Sequence, residues 1–265
     1  MSGELQEEIS GNENPAAGFA GSKRLLSHVR RAVEDYDMIN DGDKILVGLS
    51  GGKDSAALLA SLIELKKFLP VSFDICAATV DMGFEGADFS PAAEFCRSCG
   101  VEYRIIPTKI AKIVFDVRKE SNPCSLCARM RRGSLHSAAQ QMGANKVALG
   151  HHFDDVVDTF MLALIHEGRI GTLSPVTYLD RRDITLIRPL CYLPEKEIKS
   201  FVGRNPSLPL FPNLCPEDGR TEREEARKLL ESLDKKEKGV KQRIFGAIKK
   251  AGLDGWREFR KIYKI

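Results

Sequence analysis

The chain has 265 residues, of which 43% are hydrophobic, so it can form one large domain or one domain with a small appendage. Its formal net charge is +3, no apolar stretch approaches the roughly 20 residues of a membrane span, and the first residues lack the basic and apolar pattern of a secretory signal. These features argue against a membrane protein and favour the cytoplasm.

Charge is distributed unevenly along the chain. Residues 1–22 contain four Glu and no Lys or Arg, together with Gly, Asn, Pro and Ser, a composition typical of a disordered tail. Residues 221–265 hold fourteen Lys and Arg against eight Asp and Glu, a net charge of +6. This basic segment suits a polyanion such as RNA, although a solvated helix face gives the same pattern.

Strand-like and helix-like patterns alternate from residue 23 onward. Strands are predicted at Lys44–Leu49, Phe73–Val80, Val101–Pro107, Lys146–His151 and Asp183–Leu190. Helices are predicted at 23–38, Asp54–Lys67, 91–100, Cys124–Met142, Asp154–His166, Glu195–Val202, Arg223–Leu233 and Val240–Ala251. Such alternation builds βαβ units. We therefore predict an α/β fold, a mostly parallel five-stranded sheet with helices on both faces, plus a C-terminal helical extension.

Three polar stretches follow strands of this predicted sheet. They are SGGKDS (Ser50–Ser55) after the first strand, VDMGF (80–84) after the second, and GHHFDD (Gly150–Asp155) after the fourth. Ligands of parallel sheets bind beyond the carboxyl ends of the strands. We therefore expect the three stretches to converge on one rim.

The stretch Ser50–Ser55 has the chemistry of an anion-binding loop. Its two glycines leave the backbone open to close approach, its two serines add hydroxyl groups, and Lys53 adds positive charge. The spacing is neither that of the common NTPase loop nor that of the dinucleotide fingerprint. A simple strand-to-helix turn with a serine cap needs one such residue rather than six.

The stretch resembles the loop of the PP-loop ATP pyrophosphatases, whose members carry Ser-Gly-Gly-x-Asp-Ser after the first strand. The resemblance implies an adenine nucleotide alpha-hydrolase-like fold and cleavage of ATP between the α and β phosphates, with Mg²⁺ neutralising the phosphates. AMP then goes to the substrate and pyrophosphate is released. The residues assigned to ATP on this basis are Ser50, Gly51, Gly52, Lys53, Asp54, Ser55, Asp81 and Gly150.

Seven cysteines, an odd number, argue against a disulfide framework. Four of them form two Cys-x-x-Cys pairs, Cys96/Cys99 and Cys124/Cys127. The second pair opens a predicted helix, where the N-terminus stabilises thiolates, and this favours metal ligation or a reactive sulfur. Cys215 lies between prolines in FPNLCPEDG, in a loop that can fold back on the same site.

PCSLCARMRRG (123–133), GHHFDD and FPNLCPEDG together resemble the tRNA 2-thiolation branch of the PP-loop family, in particular the tRNA 2-thiocytidine synthetases. The resemblance implies that Cys124, Cys127 and Cys215 hold a [4Fe-4S] cluster, one iron of which is open to an exogenous sulfide. It also implies catalytic roles for Asp155 and Arg131.

The implied reaction is ATP-dependent thiolation of a tRNA pyrimidine at C2, with cytidine as the favoured target. Adenylation makes the C2 oxygen a good leaving group, and sulfide delivered by the cluster displaces AMP. The expected cofactors are ATP, Mg²⁺ and the [4Fe-4S] cluster. The expected partners are tRNA and a sulfur donor, a cysteine desulfurase or sulfide, with a homodimer as a further expectation. The expected division is a tail (1–22), a PP-loop domain (23–205) and a C-terminal loop with basic helices (206–265).

Two other classes of function stay open at this point. A PP-loop ligase with a nitrogen nucleophile needs no cysteine triad. A zinc module would use the two pairs Cys96/Cys99 and Cys124/Cys127 together, although packing is the favoured role of the first pair.

Individual residues of the motifs also have plainer readings. GHHFDD has the ligands for a divalent metal, yet Asp154 is expected to be a helix N-cap and His152 either a packed or a solvated histidine. Arg129 and Arg132 suit phosphate recognition or simple surface charge.

Overall fold

The computed structural model describes residues 18–118, 123–216 and 222–257. Most of the predicted tail therefore lies outside the described residues, as does the end of the FPNLCPEDG segment. Within these ranges, no helix combines the length and apolarity needed to cross a bilayer.

Strands and helices alternate as the sequence predicts. The strands in the described ranges are β1 (Asp43–Gly48), β2 (Phe73–Asp81), β3 (Glu102–Pro107), β4 (Lys146–Ala148), β5 (Val176–Leu179) and β6 (Ile184–Ile187). The α-helices there are α1 (Ser22–Asp35), α2 (Lys53–Leu65), α3 (Ser90–Ser98), α4 (Pro123–Gln141), α5 (Phe153–His166), α6 (Glu195–Gly203), α7 (Glu222–Lys236) and α8 (Val240–Ala251). A π-helical segment, Lys112–Arg118, and a short 3₁₀ turn, Leu253–Gly255, complete them.

The strands form one sheet in the order β3-β2-β1-β4-β6-β5. All neighbours are parallel except β5, which pairs antiparallel with β6. The chain moves outward from β1 through β2 to β3 and then returns to the other side of β1 with β4. Such a reversal of strand order opens a crevice at the carboxyl ends of the strands, and it lies between the loops that follow β1 and β4.

The predicted strand count was wrong by one, because β5 was missed. Val176–Leu179 pairs with β6 from Val176 opposite Ile187 to Leu179 opposite Ile184. Asp183, in the connecting turn, has a φ of 51°. A four-residue strand at the edge of a sheet buries little, and Tyr178 is 61% exposed. Such a strand carries too short an alternation to stand out in a sequence.

Apolar cores lie on both faces of the sheet, which confirms the predicted layers. One core combines α1, α2, α3 and α6 with one face of β1, and it includes Cys96 and Trp256. The other packs Leu135, Ala138 and Ala139 of α4 against the opposite side of the sheet. α3 and α4 are therefore on opposite faces of the sheet.

The C-terminal helices pack against α5. Leu230 of α7 packs with Phe153 and Val157, and Arg227 Nε lies 3.3 Å from Asp158 Oδ2. Lys241 Nζ of α8 donates to Asp154 Oδ1 at 2.8 Å. Part of the basic surplus in this segment therefore forms internal ion pairs.

Lys249 of α8 also makes its charged contacts within the protein. Its Nζ donates to the Tyr192 hydroxyl at 2.8 Å and lies 4.5 Å from the centre of that ring. The expectation of a wholly solvated or RNA-facing basic surface is wrong for Lys241 and Lys249, because both side chains fasten α8 to the domain.

The buried carboxylate of Asp158 gives a test of this packing. Asp158 is fully buried, and burial raises its pKa although Lys241 and Arg227 oppose the shift. Arg227→Ala should lower the free energy of unfolding by about 2–4 kcal/mol, because it removes a partner from a buried charge. Urea unfolding checks this, and Lys228→Ala, an exposed site on the same helix, is the matched control. Equal losses in both variants would contradict the assignment.

Candidate active site

The loop Ser50–Ser55 joins β1 to α2 and is closed by its own serine. Ser50 N donates to Ser55 Oγ at 3.1 Å, and Ser55 Oγ donates to the Gly52 carbonyl at 2.9 Å. Gly52 occupies the N-cap position of α2 without a side chain that could cap it. The N–H groups of the first helical turn are therefore available to an anion at the positive end of the helix dipole.

Lys53 is held between two carboxylates. Its Nζ lies 3.0 Å from Asp54 Oδ2 and 3.0 Å from Glu195 Oε1, at the start of α6. Burial would lower the pKa of Lys53, but hydrogen bonds with Glu195 and Asp54 outweigh it and raise the pKa. Burial would raise the pKa of Glu195, but Lys53 and Lys199 lower it to about 2. Sequence reasoning missed Glu195 as a site residue, because only the fold brings α6 to the loop.

GHHFDD meets this loop at the crevice, as predicted. A Cβ on Gly150 would lie 3.1 Å from the Asp54 carbonyl carbon and from Ser55 N, so the two backbones touch. His152, not Asp154, is the N-cap of α5, which corrects the expectation for Asp154. His152 Nδ1 accepts from Asp155 N at 3.4 Å, and Asp155 Oδ2 accepts from His152 N at 2.9 Å.

Asp154 instead connects this motif to two other helices. Its Oδ2 accepts from Glu195 N at 2.8 Å, and its Oδ1 accepts from Lys241. Burial would raise the pKa of Asp154, but these hydrogen bonds lower it. Asp154 is therefore an ionised residue that links α5 to α6 and α8.

Two further carboxylates surround the buried imidazole of His152. His152 Nε2 lies 3.4 Å from Asp155 Oδ2 and 3.8 Å from Asp54 Oδ1. In the described part of the chain, Asp54 Oδ1 is buried without a hydrogen-bond partner. An orphaned carboxylate oxygen beside the anion-binding loop suits a hard divalent cation that also binds phosphate.

Asp81 lies at the end of β2, and its carboxylate is used locally. Its Oδ1 accepts from Gly83 N at 2.8 Å, which closes the turn after the strand. No hydrogen bond between the described residues joins Asp81 to Ser50–Ser55, so its ATP role stays a prediction.

Cys124, Cys127 and Cys215 converge with Arg131. Burial raises the pKa of the Cys127 thiol, the Arg131 guanidinium lowers it, and the neighbouring Cys215 and Cys124 raise it again. The Cys127 thiol thus lies within electrostatic range of Arg131, Cys215 and Cys124. All three cysteines have intermediate exposure.

No three or more Cys, His, Asp or Glu side chains within the described ranges are placed to hold a metal ion. Ligation of a cluster by Cys124, Cys127 and Cys215 therefore stays a prediction of the resemblance.

The zinc reading that joins both Cys-x-x-Cys pairs is wrong. Cys96 is fully buried in the core on the α3 face, whereas α4 covers the opposite face. Burial raises the pKa of Cys96 to about 12, so it is a neutral packing residue.

The loop that carries Cys215 is clasped to the anion-binding loop. Phe211 N donates to the Gly51 carbonyl at 3.2 Å, and the Phe211 ring packs edge-on against Phe89 at 5.4 Å. Gly51 has a φ of 82°, and a Cβ there would lie 2.5 Å from the Phe211 carbonyl oxygen. Gly51 is therefore required for Phe211 to approach, a role that the sequence motif alone does not reveal.

The fold and this loop place the chain among the nucleotide-binding α/β proteins. A model of the PP-loop domain family matches residues 23–208. A tRNA-cytidine(32) 2-sulfurtransferase of Saccharophagus degradans is 37% identical over 86% of this chain and 74% of its own length. The corresponding protein of Ralstonia pickettii is 39% identical over 85% of this chain and 72% of its own.

A solved structure supports the same relationship. The U34-tRNA thiolase NcsA from Methanococcus maripaludis with its [4Fe-4S] cluster superimposes with a TM-score of 0.69 and 26% identity, over 86% of this chain and 78% of that one. The chain belongs to the PP-loop family and, within it, to the tRNA 2-thiolation branch.

The contact between Gly51 and Phe211 is testable with adjacent glycines. Gly51→Ala should weaken ATP binding and speed alkylation of Cys215, because a Cβ at this positive φ costs about 1–3 kcal/mol of strain and displaces the Phe211 loop. Calorimetry with ATP and mass-spectrometric thiol labelling measure the two effects. In Gly52→Ala the new Cβ meets nothing closer than Ser50 Oγ at 3.5 Å, so Cys215 labelling should stay at the wild-type rate. Identical labelling in both variants would rule out the clasp.

The carboxylate of Glu195 should compete with phosphate for Lys53. Glu195→Gln should lower the Kd for ATP about two- to five-fold, because a partly exposed ion pair is worth about 0.2–1 kcal/mol. Glu197→Gln is the matched control, since Glu197 pairs with Arg24 of α1 at 3.0 Å. Weaker ATP binding in Glu195→Gln would mean that this carboxylate positions the lysine rather than competing for it.

Proposed function

We propose that this chain is an ATP-dependent sulfurtransferase that replaces the C2 oxygen of cytidine 32 in tRNA with sulfur. The relatives of 37% and 39% identity carry this activity in their names. The observation that carries the proposal is the convergence of Cys124, Cys127 and Cys215 with Arg131. The clasp between Gly51 and Phe211 joins this group to the anion-binding loop.

ATP binding belongs to the crevice between the loops after β1 and β4. Ser50–Ser55 binds the phosphates through its backbone N–H groups, and Lys53 balances the charge of the departing pyrophosphate. Asp54 offers its unpartnered Oδ1 to Mg²⁺. Gly150 keeps the backbone after β4 against the loop. We also assign Asp81 to the nucleotide site, as the acid that ends the neighbouring strand.

The first chemical step is adenylation of the base. The C2 oxygen attacks the α-phosphorus and forms a C–O–P linkage, and pyrophosphate leaves on the side of Lys53. Asp155 is the catalytic acid residue of this step, fixed in place by the capping interaction with His152. Desolvation of the crevice strengthens these charges at the reacting atoms.

The second step replaces AMP. A [4Fe-4S] cluster bound by Cys124, Cys127 and Cys215 would supply the sulfur atom that attacks C2. AMP then leaves with the original oxygen, so the base gains sulfur and loses oxygen. Burial raises the pKa of the Cys127 thiol, and the Arg131 guanidinium opposes this shift and so favours the thiolate form.

Several finer features belong to the same proposal. The sulfur donor is free sulfide or a cysteine desulfurase, the active form is a homodimer, and the protein works in the cytoplasm. Residues 23–205 form the PP-loop domain in this division, and residues 206–265 supply the third cysteine and the basic helices. Light scattering of the purified protein tests the dimer.

A uridine substrate is the second candidate, because the structural neighbour is named a U34-tRNA thiolase. Its 26% identity is lower than that of the cytidine enzymes. A ligase with a nitrogen nucleophile leaves the converging thiols without a role.

The experiment that tests the function combines metal analysis with nucleoside analysis. The protein purified without oxygen should contain iron and acid-labile sulfide, and should convert cytidine 32 of unmodified tRNA to 2-thiocytidine in the presence of ATP and sulfide. Replacing Cys124, Cys127 or Cys215 by Ala should remove iron and lower thiolation by at least about a hundredfold while ATP binding persists.

Cys99→Ala is the control for these variants, because Cys99 is a partly exposed thiol on the opposite face of the sheet. It should keep both iron and activity. Zinc in the wild-type protein, loss of metal in Cys99→Ala, or thiouridine as the product would each overturn part of the proposal.

A further inference from the structure

One side of α4 carries a row of polar residues that neither the ATP site nor the cysteine site uses. Arg129, Arg132, His136 and Gln140 follow at spacings that place them in line along the helix. Gln140 shows which way the row faces, because its Nε2 donates to the Arg182 carbonyl in the β5–β6 hairpin at 2.9 Å. We name these four α4 residues the arginine flank.

The cysteine residues occupy a different side of the same helix. Cys124, Cys127 and Arg131 lie in line with Leu135 and Ala138, which are buried against the sheet. The first turns of α4 therefore present thiols on one side and arginines on the adjacent side. A molecule that follows the arginine flank toward the N-terminus of α4 arrives at the thiols.

The positive charge of the arginine flank is not neutralised from within the helix. α4 contains no Asp or Glu, and Arg129 and Arg132 are exposed. No ion pair in the described part of the chain joins either arginine to a carboxylate. Burial lowers the pKa of His136, and the nearby Arg182 and Arg132 lower it further. His136 is therefore a neutral member of a cationic surface.

A buried arginine adds to this field from beneath the hairpin. Arg188 Nη1 donates to the Ser174 carbonyl and lies 3.4 Å from Thr177 Oγ1. Burial lowers the pKa of Arg188 to about 10. Within the described ranges, no carboxylate forms an ion pair with it. At the tip of the β5–β6 hairpin, Arg182 has two acids as sequence neighbours, Asp180 and Asp183. The excess positive charge of this region therefore lies on the α4 side.

We propose that the arginine flank binds the phosphate backbone of the tRNA strand that carries the target nucleotide. The proposal rests on the proposed function and assigns its substrate a path across the protein. The flank is about 16 Å long at about 1.5 Å per residue, which equals the length of about five stacked nucleotides at about 3.4 Å each. Arginine binds phosphate through paired hydrogen bonds.

The position of the flank also explains how a base reaches the site. A row on one side of a helix contacts one strand, and sequence-specific RNA enzymes act on bases that are splayed out of the stack. A strand held along Arg129 and Arg132 can turn one base around the N-terminus of α4 toward Cys127 and Arg131. The arginines position the strand, and the loop Ser50–Ser55 supplies the activation.

Binding of unmodified tRNA to the full-length protein across a salt series tests the proposal. The double variant Arg129→Ala/Arg132→Ala should bind tRNA at least tenfold more weakly at low salt, and the slope of log K against log salt should fall by about 1.4–1.8, two phosphate contacts. Its Kd for ATP should be unchanged, which shows that the fold is intact. Arg129→Lys/Arg132→Lys keeps the charge and should restore most of the slope.

Lys238→Ala/Lys250→Ala is the matched control, because it removes two exposed charges from the C-terminal helical region. It should leave the slope unchanged. If the control lowers the slope and the α4 variant does not, the C-terminal helices bind the tRNA and the proposal is wrong. An unchanged slope in both double variants overturns it as well. Wild-type protein that binds tRNA yet makes no thiolated nucleoside counts against the proposed function alone.

Discussion

The contact on which the site depends is the one between Gly51 and Phe211. A single hydrogen bond of 3.2 Å between Phe211 N and the Gly51 carbonyl joins the anion-binding loop to the segment that carries Cys215. Only glycine tolerates both the φ of 82° and the approach of the Phe211 carbonyl. Because Cys215 follows only four residues after Phe211, the position of the third thiol is tied to the loop that binds ATP. The anion-binding loop and the segment that carries Cys215 are therefore two distant stretches of chain held together by a direct backbone contact.

A second set of contacts, between charged groups, holds together the helices that surround the Gly51–Phe211 contact. Lys53 pairs with Glu195, Glu195 N donates to Asp154, and Asp154 pairs with Lys241. This series links α2, α6, α5 and α8, elements that are far apart in sequence. Each carboxylate is partly buried, and its hydrogen bonds keep it ionised against the cost of burial. The C-terminal helices thus contribute to the surroundings of the active site, and Lys241 of α8 is the partner of Asp154.

How much the sequence could predict depends on the range over which each signal acts. The order of strands and helices along the chain and the loop Ser50–Ser55 were predictable, because local periodicity and a short motif carry them. The grouping of Cys124, Cys127 and Cys215 came from the resemblance to a known family and stays a prediction. The edge strand β5 was missed because four residues give too little alternation. Glu195 and Phe211 were missed because their roles arise only when distant segments meet, and no local pattern marks such residues. Asp154 was misassigned as the N-cap because a histidine seldom takes that position, whereas here His152 accepts from Asp155 N.

The two sides of α4 show how one helix can serve two chemical demands. Thiolates need positive charge nearby to stay ionised, and RNA phosphates need positive charge to replace their counterions. A helix without a single acidic residue supplies both from three neighbouring arginines. Arg131 points toward Cys127, while Arg129 and Arg132 project from the adjacent side. An acidic residue on this helix would raise the pKa of the thiols and repel the RNA together. Both the thiols and the RNA therefore require α4 to lack acidic residues. Packing of α4 against the sheet would not by itself impose that requirement.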